Sequence, residues 1–115
     1  MEIKIITESA SRDDLRAIAA GQFGSFVKAV VDIKKSMMAV GGELHADEEA
    51  ILLQRGSLQD DLWGVNLYPD RKDEKFVEFN SMINIRPSRG NFSRGVEDKE
   101  TQENIRRIAS KLIRE

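Results

Sequence analysis

The segment RPSRGNFSRG, residues 86–95, concentrates side chains that are suited to holding an anion. It contains Ser-Arg-Gly twice and no acidic residue. Arginine offers a planar fork that matches phosphate or carboxylate, and glycines let backbone N–H groups turn toward a negative charge. We therefore expect an anion-binding loop that uses Arg86, Ser88, Arg89, Gly90, Asn91, Ser93 and Arg94.

Two flanking elements must position this loop. Residues 75–86 keep one alternating apolar and polar parity, which predicts a long strand that Pro87 ends. Asp98 is placed to cap a helix after the loop, and the positive end of that helix would point toward the same region. A strand, a glycine-rich loop and a helix start together favour anion binding. The competing interpretation is a surface loop whose arginines pair with acids of this chain.

A second group of residues with side chains suited to catalysis or metal binding is Glu43, His45 and Asp47, in the sequence GGELHAD. If residues 43–47 continue a strand, the three side chains point the same way. Two carboxylates and an imidazole on one face suit general acid–base catalysis or a divalent metal. The structural alternative is that Asp47 caps a helix and that His45, the only histidine, is a hydrogen-bonded structural residue. We assign no metal ligand and no cofactor.

Charge is distributed unevenly between these two segments. Residues 43–61 hold six acids and one base, whereas residues 84–95 hold three bases and no acid. The two segments are therefore expected to pair, either within one fold or across a dimer.

The order of predicted elements is β-α-β-β-α-β-β-α. Short alternating runs predict strands near residues 2–7, 26–34, 37–44, 62–68 and 75–86. Ser11, three residues before Asp14, predicts a capped first helix, and Gly56 is expected to end the second. We predict one α+β domain over residues 1–115, with a mostly antiparallel five-stranded sheet and three helices largely on one face. The other face would be half polar and open to a ligand or a second subunit.

Composition excludes several classes of protein. The 115 residues contain no cysteine, which excludes disulfides and thiolate chemistry. No apolar run approaches the roughly 20 residues of a membrane span, and the N-terminal stretch lacks the apolar region of a signal peptide. We therefore expect a soluble cytoplasmic protein. A net charge of −2 and a pI near 5.5 argue against a bulk nucleic-acid binder.

Four stretches of the chain resemble a small prokaryotic family of unknown function. They are VKAVVDI, GGELHAD, DLWGVNLYP and SMINIRPSRGN with the following SRGVED. The similarity covers nearly the whole chain, from EIKIITE to the last helix. The resemblance implies one intact domain, and it brings no activity and no site residue with it.

Three functional hypotheses follow from these residues. The first is a protein that binds a small phosphate- or carboxylate-bearing ligand through residues 86–95. The second is a hydrolase or lyase in which His45 is the general base, Glu43 or Asp47 orients it, and the arginine loop stabilises developing charge. The third is a dimeric interaction or regulatory protein whose open sheet face is buried between subunits. RNA binding through the loop and Phe92 is disfavoured by the acidic pI.

Overall fold

An antiparallel sheet of five strands forms the centre of the protein, whose residues 2–115 are described by a computed structural model. In chain order the strands are β1 (Lys4–Ile6), β2 (Ala10–Ser11), β3 (Val27–Asp32), β4 (Met37–Val40), β5 (Leu62–Leu67), β6 (Val77–Glu78) and β7 (Ile113–Arg114). The sheet has the spatial order β1-β4-β3-β5-β6, while β2 and β7 form a separate parallel pair. The element order and the α+β class predicted from the sequence are confirmed, and the β2–β7 pair is an addition.

Within residues 2–115, three α-helices accompany the sheet: α1 (Arg12–Ala20), α2 (His45–Gln54) and α3 (Lys99–Leu112). The predicted capping box of α1 is present, since Ser11 and Asp14 exchange side-chain and backbone hydrogen bonds of 3.0 Å each. Asp98 caps α3 as expected. The prediction that Asp47 caps α2 is wrong, because that helix already begins at His45.

The helices divide over the two faces of the sheet. Alternate side chains of β3, such as Ala29 and Val31, belong to the larger core with residues of α1 and α3, including Leu15 and Ile108. Val30 points the other way and packs in a smaller core of buried residues, Val30, Ala39, Leu52 and Leu62, that α2 covers. Two helices therefore share one face, and α2 lies over part of the opposite face. None of the helices among residues 2–115 has the length and apolar character needed to cross a bilayer.

Of the long strand predicted over residues 75–86, only β6 (Val77–Glu78) forms. Lys75 and Phe76 belong to a 3-10 turn, and the prediction is also wrong beyond Glu78. The chain then leaves the sheet and forms single 3-10 turns at Met82–Asn84 and Pro87–Arg89. Gly64 of β5 makes this departure possible, because a Cβ atom there would lie 2.6 Å from Ser81 Oγ. The alternating pattern in the sequence therefore reflects a chain that folds back over β5, not one that continues beside it.

The side chain of Asn84 takes the place of a neighbouring strand at Gly64. Its Oδ1 accepts from Gly64 N–H at 2.8 Å, and its Nδ2 donates to Gly64 O and to Arg94 O at 2.9 Å each. Asn84 is completely buried. The same amide therefore fixes the edge of the sheet and one end of the loop that follows.

Asn84→Ala should lower the free energy of unfolding by about 2 kcal/mol, because the buried backbone groups of Gly64 lose their partners. Urea unfolding at constant pH measures this loss. Asn80→Ala is the matched control, since Asn80 is only half-buried and a single side-chain bond joins it to Arg94. A loss for Asn84→Ala no larger than for the control would show that this amide does not replace a strand.

Candidate functional site

Arg86, the first arginine of the predicted anion loop, is buried inside the fold. Its side chain is only 9% exposed, and its Nη2 donates to the backbone carbonyl of Leu62. The same nitrogen lies 3.7 Å from Glu49 Oε2, and the guanidinium carbon lies 4.9 Å from the centre of the Trp63 ring. Burial lowers the pKa of Arg86, and the charge of Glu49 opposes that effect. The position of Arg86 is that of a structural residue beneath the loop.

Arg89 also has an acidic partner, Asp60, at 2.8 Å. Both side chains are about half exposed, so solvent screens this ion pair strongly. The pairing between residues 43–61 and 84–95 that the charges predict therefore occurs within one chain, through Arg86 with Glu49 and Arg89 with Asp60.

The loop binds the carboxylate of Glu97, which follows the loop in the same chain. Glu97 Oε2 accepts from the N–H groups of Phe92 at 2.6 Å and Ser93 at 3.0 Å. Buried Asn91 donates to the carbonyls of Asn84, Ser93 and Gly95, and it accepts from Glu97 N–H. The backbone N–H groups of Phe92 and Ser93 are thus already satisfied within the chain.

The cavity beneath this loop has a volume of about 410 Å³. Arg86 and Ser88 line it, but the carboxylates of Glu49 and Asp60 line it as well. An anion entering this cavity would meet the carboxylates of Glu49 and Asp60 as well as Arg86. Gly90, whose φ of 76° is left-handed, only turns the chain here.

Arg94, the third arginine, has a different environment. Its Nε donates to Asn80 Oδ1 at 2.9 Å, and within residues 2–115 it forms no ion pair with a carboxylate. It lies at an open cleft of about 170 Å³ that we call the cation cleft. The cleft is lined by Lys28, Leu44, His45, Ala46, Ser81, Met82, Ile83 and Arg94.

His45 forms the inner wall of the cation cleft and is 8% exposed. Its Nε2 lies 2.8 Å from the carbonyl oxygen of Val65. A carbonyl can only accept a hydrogen bond, so Nε2 carries the proton and Nδ1 presents a lone pair. Burial lowers the pKa of His45, the hydrogen bond to Val65 opposes that effect, and the charges of Lys28 and Arg94 add smaller decreases. The imidazole is therefore neutral at pH 7.

Lys28 supplies the second cation of the cleft, and a stack of aromatic rings holds it. Its Nζ lies 5.0 Å from the ring centre of Phe23, which stacks on Phe26 at 4.9 Å. Phe26 in turn lies 5.3 Å from Tyr68, and Arg71 covers Tyr68 at 3.8 Å. Within residues 2–115, Lys28 forms no ion pair with a carboxylate.

Glu48 is the acid next to this cleft, and it is neutral at pH 7. It is completely buried, its Oε2 accepts from Gly42 N–H at 2.9 Å, and its Oε1 has no hydrogen-bond partner within residues 2–115. Desolvation raises its pKa to about 9, against smaller effects of Gly42 and Lys28 that lower it. The positive charge of Lys28 is therefore not neutralised by Glu48.

The structure does not bring Glu43 and Asp47 together with His45. Both acids are exposed, and neither lines the cation cleft. Because residue 45 starts a helix instead of extending a strand, Asp47 is rotated by about 200° from His45 around the helix axis. Within residues 2–115 there is no cluster of three His, Asp or Glu residues that could hold a metal.

Sequence reasoning missed Lys28 and Glu48. Lys28 is the one charged residue between Phe26 and Val31, and this break in an apolar strand is a signal that could have drawn attention to it. Glu48 follows His45 by three residues, which places both on one face of α2 once the true helix start is known.

The sequence model of one protein family, described as "Protein of unknown function (DUF5674)", matches residues 4–112. The chain belongs to the DUF5674 family. The predicted resemblance to a small family of unknown function is confirmed to that extent, while its prokaryotic character stays a prediction. No curated protein and no solved structure matches the chain. All residues of the cation cleft, from Lys28 to Arg94, lie inside the part that defines DUF5674.

Proposed function

We propose that this DUF5674 protein binds a small anionic ligand, bearing a phosphate or carboxylate group, in the cation cleft. The observation that carries the proposal is the convergence of Lys28 and Arg94, neither with an acidic partner, on a neutral histidine. Of the predicted loop residues, only Arg94 belongs to this site.

The electrostatics of the cleft support an anion over a cation. The neighbouring acid Glu48 is protonated at pH 7, and none of the described residues that line the cleft is an acid. Two positive charges that line one recess attract an anion more strongly than isolated exposed lysines do.

Hydrogen-bonding capacity supports the same conclusion. Ser81 Oγ accepts from Ile83 N–H at 3.3 Å, so its O–H can donate to a ligand. Arginine can add a second, parallel donor to a carboxylate or phosphate. The ligand charge would also raise the pKa of His45, and the imidazolium that forms at lower pH would add a donor.

Lys28→Met and Arg94→Ala should each weaken binding of acetate or inorganic phosphate at least fivefold. Lys28→Met keeps the alkyl stem that packs near Phe23, so it tests the charge and not the packing. Ligand-dependent thermal shifts, followed by calorimetric titration, measure the affinity of each variant.

Arg89→Ala is the matched control, because Arg89 belongs to the original loop prediction and is absent from the cation cleft. It should bind both anions as the parent protein does. If Arg89→Ala abolishes binding and Arg94→Ala does not, the site is the loop and the cleft proposal is wrong. The proposal is equally contradicted if neither anion binds the parent protein.

A further inference from the structure

The cation cleft has apolar as well as polar lining residues. Besides Lys28, Arg94, His45 and Ser81, it is lined by Leu44, Ala46, Met82 and Ile83. Leu44 is 56% exposed and Met82 is 65% exposed, and both line the cleft, where a bound ligand could cover them. Single exposed apolar side chains are common, but here two of them lie in the same cleft as Lys28 and Arg94, which within residues 2–115 have no acidic partner.

We infer that the ligand is a small amphipathic anion, a carboxylate carried on an apolar chain of several carbons. This inference rests on the proposed function and deepens it. The head group would lie between Lys28 and Arg94, and the chain would cover Leu44 and Met82. Polar bodies such as sugars or nucleotides would leave these apolar side chains without a complementary surface.

The shape of the surface indicates where the apolar chain of the ligand would lie outside the cleft. Met82 and Ile83 line the cation cleft and also the neighbouring cavity beneath the arginine loop. These two residues therefore form a ridge between two recesses, and Ile85 continues the apolar surface on the far side. A chain that leaves the cation cleft meets this ridge first.

A series of straight-chain carboxylates tests the inference. Affinity should rise about two- to fourfold for each added methylene from acetate through hexanoate, because each one buries apolar area against the ridge. Hexan-1-ol, which has the chain without the charge, should bind far more weakly than hexanoate.

Variants of the apolar side chains separate this effect from nonspecific binding. Met82→Ser and Leu44→Ser should flatten the increase of affinity with chain length, so that each variant loses more affinity for hexanoate than for acetate. Serine at position 44 precedes α2 as a good N-cap, so the fold is not put at risk. Leu58→Ser is the control, since Leu58 is 61% exposed and lies outside both recesses.

The possible outcomes distinguish this inference from the proposed function. Acetate binding with no dependence on chain length overturns the inference and keeps the anion site. Failure of every carboxylate and of phosphate overturns both. Light scattering that shows a dimer, combined with Met82→Ser giving a monomer, would assign the apolar ridge to a second copy of this chain and also overturn the inference.

Discussion

Glu48→Gln should raise the free energy of unfolding at pH 7 by on the order of 3 kcal/mol. In the folded protein Glu48 is protonated at pH 7, since its pKa is raised to about 9, whereas in the unfolded chain it has its ordinary value of 4.5. Folding at pH 7 must therefore take up a proton. Glutamine is neutral in both states, and its oxygen can still accept from Gly42 N–H.

The sign of this effect predicts an unusual dependence of stability on pH. A group whose folded pKa is raised contributes fully below its unfolded pKa of 4.5, and its contribution is lost as the pH rises toward 9. His45, with a lowered pKa, acts in the opposite direction below pH 6.5. The interval between pH 7 and pH 9 therefore isolates Glu48, and the parent protein should lose on the order of 2 kcal/mol across it.

Urea unfolding at pH 7, 8 and 9 measures both predictions. The parent protein should become less stable with rising pH, while Glu48→Gln should remain nearly constant. Asp47→Asn is the matched control, because Asp47 is the exposed neighbour of Glu48 on α2. Parallel pH profiles for the parent and Glu48→Gln would show that Glu48 is ionised in the folded protein, and the cleft would then have an acid beside Lys28.

Arg86→Ala should lower the free energy of unfolding by about 3 to 5 kcal/mol, because it leaves the carboxylate of Glu49 nearly buried without its partner. Glu49 is only 13% exposed. The variant also removes the donor to Leu62 O and the contact with Trp63. A loss of this size approaches the whole stability of a small domain, which is typically about 5 to 15 kcal/mol.

A double-mutant cycle separates the ion pair from the packing. Arg86→Leu and Glu49→Leu combined should cost less than the sum of the two single variants, since the double variant buries no unpaired charge. Arg89→Ala, which breaks an exposed pair with Asp60, should cost less than about 1 kcal/mol. If Arg86→Ala costs as little as Arg89→Ala, then Arg86 is free to serve a ligand and the loop hypothesis gains support.

The parts of the fold that the sequence predicted are those set by neighbours along the chain. The Ser11–Asp14 capping box and the Asp98 cap each depend on residues within a few positions of one another. Helical spacing in α3 places Ile105, Ile108 and Leu112 on its buried face. Local physics determines such features, and tertiary packing leaves them unchanged.

The parts that were missed depend on partners far apart in the chain. The alternating parity of residues 75–86 does not reveal that Gly64 admits Ser81, or that Asn84 bonds to β5. Likewise, α2 begins at His45 and not after Asp47 as predicted. This start directs Asp47 outward and Glu48 inward. The burial of Arg86 against Glu49 could not be seen in composition alone, although the opposite charges of their segments did predict the pairing.

The carboxylate of Glu97 inside the arginine loop has a consequence for ligand binding. Because Glu97 and Asn91 satisfy the loop amides, the backbone that carries Arg94 is ordered before any ligand arrives. The conformational entropy of that loop is lost during folding and not during association. Under the proposed function, the cleft is preorganised on the Arg94 side, and an anion would dock there without a slow rearrangement of the loop.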